Sequence, residues 1–191
     1  MSKTQLKKEL SGYSKEQLID IILEMYSTRP DVKEYFKFYL NPDSKTLCEK
    51  YIKAIDKEFN RSKWRVSKAR VSVIKKLIKK FNSFQPDLKY RYDLYAMTVK
   101  LSIQTEHFYK FSESLINGIC HFINEYLTLA DKNEDLDNAL SIIGQMVEQD
   151  NVGTRYYKNR LAEACQDYVE SKSILIAASA MSATATATAT A

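Results

Sequence analysis

Apolar residues return every three or four positions along most of the chain, the spacing of helices packed on one side. Leu18, Ile22, Met25 and Tyr26 begin the pattern, opened by the capping-box signature Ser14-Lys15-Glu16-Gln17. The spacing predicts helices over about 15–27, 30–40, 42–60, 66–83, 86–105, 108–130, 134–149 and 154–172, with a short one before Gly12. Pro30, Pro42 and Pro86 each precede an Asp. Proline has no N–H to lose at a first helical position, and the acid suits the positive end of the helix dipole.

In the 86–105 segment Leu88, Tyr92, Tyr95 and Val99 form one apolar stripe, and Leu94, Met97 and Leu101 form a second. A helix apolar on two sides packs on both, so this one is expected near the centre. The 108–130 segment carries a broad stripe: Phe108, Leu115, Ile119, Phe122 and Tyr126, widened by Ile116 and Ile123. Gly118 and Gly144 interrupt helical patterns, where a close helix crossing would account for them.

These elements predict an all-α fold: one domain of about eight helices over 1–172, packed as antiparallel hairpins, with a solenoid-like stack as the open alternative. Residues 173–191, ending in alternating Ala and Thr, read as a low-complexity, disordered tail.

Charge changes the picture in one place. Residues 61–80 hold nine Lys or Arg and no carboxylate, while the whole chain is only +5, leaving the remainder at −4. With a helix from about 66, Lys68, Lys75, Lys76 and Lys79 share an outer face. Val66, Ala69, Val73, Leu77 and Phe81 then point inward, with Ile74 and Ile78 on the flank. Arg61, Lys63, Trp64 and Arg65 extend the block forward and Lys80 backward, so these nine residues are the anion-binding candidates. The competing reading is a solvated face balanced by residues 111–150, which carry eight acids and one lysine. Arg70 falls inside the expected apolar face and must find a carboxylate there or reach out to water.

Other chemistry is sparse. His107 and His121 lie about 21 Å apart if they share a helix, too far to hold one metal. The phosphate-loop, dinucleotide-fold, zinc-protease and nucleophile-elbow patterns are all missing, so no catalytic residue, metal or cofactor is assigned. Val32, Tyr35, Phe36 and Tyr39 are expected to form a core stripe, leaving Phe38 on another face as a candidate partner groove. Cys48, Cys120 and Cys165 are odd in number and scattered, as in reduced thiols of a cytoplasmic protein. A charged start without an apolar run, and no long apolar window, predict neither a secretory leader nor a membrane span.

Ser14 to Leu18, Val32 to Pro42, Lys50-Tyr51 with Ile55, Lys57-Glu58-Phe59, and Lys68-Ala69-Arg70-Val71-Ser72 with Lys75-Lys76 resemble the opening of a family of uncharacterised bacterial helical proteins, over roughly residues 1–83. Beyond that, Glu106-His107-Phe108-Tyr109 and Glu113-Ser114 continue the likeness, while other C-terminal segments of the family pattern are absent. The resemblance implies an all-helical cytoplasmic protein and no stated activity. The sequence therefore favours a non-catalytic interaction protein with an acidic protein or nucleic acid as partner. Nonspecific phosphate-backbone binding through 61–80 is the first alternative, and an enzyme with an inter-helix cleft the second.

Overall fold

The computed structural model describes residues 1–61, 65–149 and 153–188, with side chains described through Ile174. Nine α-helices appear among the described residues: α1 Lys3–Leu10, α2 Lys15–Thr28, α3 Pro30–Leu40, α4 Ser44–Phe59, α5 Val71–Ser83, α6 Leu88–Phe108, α7 Glu113–Asp131, α8 Leu136–Glu148 and α9 Arg155–Thr188. The fold is all-α. The helices group into two compact units, Met1–Asp43 and Ser44–Ala191. The division falls at the Asn41-Pro42-Asp43 turn, where no linker composition marks it.

The first unit is built from local signals. Ser2 caps α1 by accepting the Gln5 N–H. Ser14 and Gln17 cap α2 reciprocally, at 3.2 and 2.8 Å, and Pro30 opens α3. None of its three helices buries a residue. Tyr35 and Tyr39 stack at 6.1 Å but are exposed, and Val32 and Phe36 are only half-buried, so the expected core stripe is a surface aromatic ridge. A unit of this size is too small to shield both faces of a helix. Phe38 is half-buried on its other side.

The second unit has a closed core. Each helix packs on the next in the chain, and α4 with α6, α5 with α7, α6 with α8 and α7 with α9 pack as well, the neighbour pattern of stacked hairpins. Helix α6 also reaches α9, which places it at the centre as its two-sided pattern predicts. Ile55, Phe59, Ile74, Phe81, Leu94, Val99, Ile119 and Phe122 are fully shielded. Each such side chain stabilises the folded state by about 1.5–3 kcal/mol relative to exposure. The α6 core band alternates these residues with Thr98, Ser102 and Glu106.

Three boundaries differ from expectation. Helix α5 begins at Val71 and not near Val66. Residues 65–67 run extended beside Lys110 instead: the Ser67 N–H donates to the Lys110 carbonyl (3.1 Å), and the Lys110 N–H donates to the Arg65 carbonyl (2.9 Å). With Val66 and Ala69 outside the helix, the buried face of α5 turns to Ile74, Ile78 and Phe81, and Val66 is 55% exposed. Phe108 closes α6 and is 72% exposed, so it is no part of the α7 stripe. Ser112 caps α7, its Oγ accepting the Leu115 N–H at 3.3 Å. His107 and His121 consequently sit on separate helices. Helix α9 continues past Lys172, so the backbone of 173–188 is helical there.

A Cβ added at Gly118 would lie 2.5 Å from both methyl carbons of Val71, whereas at Gly144 nothing lies within 4 Å. The two glycines therefore respond in opposite directions to alanine. Gly118→Ala should destabilise the protein by about 1–3 kcal/mol despite the better helix former, because the stiff Val71 cannot move aside. Gly144→Ala should stabilise by up to about 1 kcal/mol. Urea unfolding of the two variants checks both signs, and Val71→Ala should relieve the first.

A candidate anion-binding surface

One buried carboxylate sets the start of the basic helix. Glu58, at the end of α4, is 5% exposed. Its Oε1 accepts the Arg70 N–H at 3.0 Å and Arg70 Nε–H at 2.8 Å, and Oε2 accepts from Arg70 Nη2 at 3.0 Å. Arg61 adds a longer contact, 3.4 Å to Oε2. Arg70 is the N-cap of α5, so Glu58 also places a negative charge at the positive end of that helix. Of the ion pair, the carboxylate is the buried partner and the guanidinium side chain is 53% exposed. Arg70 thus lies before the helix, and the apolar face that sequence drew around it is not its environment.

The nine candidates separate accordingly. Arg61 is engaged by Glu58, and Lys63 and Trp64 lie outside the described residues. Arg65 and Lys68 are exposed but belong to the extended segment, off the helix. Lys75, Lys76, Lys79 and Lys80 remain together as the exposed edge of α5. Lys75 Nζ lies 3.0 Å from His121 Nε2 on α7. Lys76 and Lys79 make no hydrogen bond or ion pair among the described residues.

Among the described residues no carboxylate of the acidic segment pairs with Lys76 or Lys79. Glu113 accepts from Arg160 (3.0 Å) and from the Tyr156 hydroxyl (2.7 Å), and those two partners hold its carboxyl below the usual range. Asp131 pairs with Lys172. Both partners are on α9, so the acids of α7 face the last helix. Glu125 is the exception: it accepts from Tyr95 OH (3.3 Å) and lies 3.2 Å from His121 Nε2.

Two surface grooves each take one histidine. A groove of about 390 Å³ between α6 and α7 is lined by Arg91, Tyr95, His121, Asn124, Glu125 and Lys132, among others. Another, of about 460 Å³ at the end of α6, includes Glu106, His107, Glu113, Thr154 and Tyr156. There Glu106 is already engaged, accepting the Thr154 N–H and hydroxyl at 2.7 and 2.8 Å. Neither groove holds both histidines. Arg91, Glu125 and Lys132 are site residues that periodicity does not single out, since they come together only when α6 and α7 pack.

The thiols offer no activated nucleophile. Burial pushes Cys48 and Cys165 up to about 11 and also raises Cys120. Among the described residues no three His, Cys, Asp or Glu side chains gather as a metal site, and no helix is long and apolar enough to cross a membrane.

Fold and surface together define an all-helical protein whose second unit carries a lysine-edged helix. The chain belongs to a family of unknown function, whose model, Family of unknown function (DUF6155), matches residues 1–164. No curated protein and no solved structure matches it. The family match extends past residue 83, through α7, α8 and the start of α9.

The Arg70 hydrogen bonds, and behind them Arg61, lower the Glu58 pKa from its ordinary 4.5, against the opposing effect of burial. A carboxyl lowered in the folded state contributes stability that is present above 4.5 and lost as pH falls through the lowered value. The melting-temperature advantage of wild type over Glu58→Gln should therefore shrink as pH is taken below 4.5. At neutral pH Arg70→Met should lower the melting temperature more than Glu58→Gln does. Removing Arg70 leaves a buried charge without its main partner, whereas removing the carboxylate leaves a guanidinium that water already reaches.

Proposed function

We propose that this chain is a non-catalytic interaction protein that docks an anionic partner on the lysine edge of α5. The observation that carries this reading is the charge pairing: the carboxylates of α7 are engaged by Arg160, Lys172 and Tyr95, while Lys76 and Lys79 face solvent without a partner among the described residues. Uncompensated ammonium groups on one face raise the local potential and steer an anion to it. A cytoplasmic location belongs to the same proposal, supported by three free cysteines.

An acidic protein face is the first partner proposed, because Lys75 to Lys80 span only about 7.5 Å of helix axis, a compact patch. A nucleic-acid phosphate backbone is the second, favoured by the same single-signed edge. Lysines on one edge have no forked geometry for base edges, so such binding would be indifferent to sequence. Groove recognition uses a short helix of mixed polar residues, whereas the exposed residues of α5 are mostly Lys.

Titration of duplex and single-stranded nucleic acid at low salt separates the partners. If nucleic acid binds, changing Lys75, Lys76, Lys79 and Lys80 to Ala should reduce the magnitude of the log-affinity against log-salt slope by about 3–4. Changing them to Glu should abolish binding to either class of partner without unfolding the protein, since all four are exposed. Wild-type protein with no nucleic-acid affinity at low salt would leave the acidic-protein partner. Retention of that partner by the four-Glu variant would remove α5 as the docking surface altogether.

A further inference from the structure

The shallow, open groove between α6 and α7 brings together side chains of two helices, and its charges divide into engaged and unengaged groups. Glu125, its carboxylate, is turned inward: Oε2 accepts the Tyr95 hydroxyl, and Oε1 lies 3.2 Å from His121 Nε2. Tyr95 OH in turn accepts from Asn82 Nδ2 at 3.3 Å, and burial with the neighbouring Glu125 pushes its phenol up to about 12, so it stays a donor to the carboxylate. The cations are placed differently. Arg91 Nε–H donates to Asn82 Oδ1 at 3.3 Å, and its two terminal amino groups make no hydrogen bond or ion pair among the described residues. Asn82 thus steadies the guanidinium by one edge and leaves its fork unused. Lys132, the C-cap of α7, is exposed and likewise has no ion-pair partner among the described residues. The Asn124 side-chain amide also lines the groove and makes no hydrogen bond among the described residues.

We propose that this groove is a binding site for a phosphomonoester, its phosphate gripped by the Arg91 fork from α6 and by Lys132 from α7, with the Asn124 amide as an added donor. An arginine steadied through Nε presents two parallel N–H groups, the geometry that matches two oxygens of one phosphate. With Glu125 also in the lining, Arg91 and Lys132 leave the groove net cationic, and a dianionic phosphate is drawn to it more strongly than the single charge of a carboxylate. A volume of about 390 Å³ admits the phosphate and a small organic substituent. Helix α5 meets the site through Asn82, which holds Arg91 and Tyr95, and through Lys75 beside His121, whereas Lys76 and Lys79 are not among the groove's lining residues.

Binding of inorganic phosphate to the full chain, followed by calorimetry at fixed ionic strength with acetate as the comparison anion, tests the assignment. Saturable phosphate binding, at least tenfold tighter than acetate, is expected. Arg91→Gln and Lys132→Gln should each weaken it at least tenfold, and Arg91→Lys several-fold, because the charge stays while the fork is lost. Lys132 is exposed, so its variant reports on binding even if Arg91→Gln perturbs folding. Lys76→Gln with Lys79→Gln should leave phosphate affinity within twofold. Equal binding of phosphate and acetate, no saturation, or unchanged affinity in Lys132→Gln would overturn the groove. A large loss in the Lys76 and Lys79 variant would overturn it too, by moving phosphate to the α5 edge. Failure of the α5 edge to hold any polyanion, with the groove results intact, would leave this inference standing alone.

Discussion

Glu58 is the hinge of the second unit's architecture. It ends α4, receives the backbone N–H that precedes α5, and binds the side chains of Arg70 and Arg61. A buried carboxylate costs free energy unless its oxygens are satisfied, and here donors from one short stretch satisfy both. The same contacts decide where α5 starts, and so which of its residues face the core. The position of the lysine edge is a consequence of that choice: with α5 opening at Val71, Ile74, Ile78 and Phe81 turn inward and Lys75, Lys76, Lys79 and Lys80 are left outside.

Local signals made most helices readable. Ser14 with Gln17, Pro30, and the stripes of α6 and α7 act within a turn or two of chain, and their elements are found, although α7 opens at Glu113 and not near Phe108. The start of α5 was not readable, because what sets it is distant: Glu58 lies twelve residues before Arg70, and Lys110 pairs with a segment more than forty residues earlier. Continuing the helical spacing back to Val66 was reasonable from sequence, yet the backbone there has better partners elsewhere. The aromatic run of α3 misled in another way. Its spacing is that of a buried stripe, but spacing says which residues share a face and not whether anything covers it.

Charge segregation in the sequence proved to be a matter of partner choice. The acidic stretch and the basic block look complementary by count, and α5 does pack against α7. Glu113 and Asp131 nevertheless meet α9, through Arg160 and Lys172, and Lys75 of α5 approaches a histidine of α7, His121, and not a carboxylate. Exposed ion pairs contribute little to stability, so this arrangement matters more for what it leaves uncovered than for what it holds together. The groove residues were invisible for the same reason: Arg91, Glu125 and Lys132 are ordinary surface positions until two helices bring them together.

The hydroxyl of Tyr157 on α9 donates to Ser102 Oγ on α6 at 2.7 Å, and that serine donates to the Val99 carbonyl at 2.6 Å. Burial drives the phenol's pKa far above its free value, so the tyrosine keeps its proton under any physiological condition. Sliding α9 by one turn, about 5.4 Å, would strand the Tyr157 hydroxyl in an apolar core, while Ser102 keeps its own bond to the Val99 carbonyl. The pair therefore acts as an index mark, admitting one lengthwise alignment of the last helix on the central one. Among homologous chains a Tyr at the first position should bring Ser with it, because Ala at the second leaves the buried phenol without a mate, whereas Phe tolerates either.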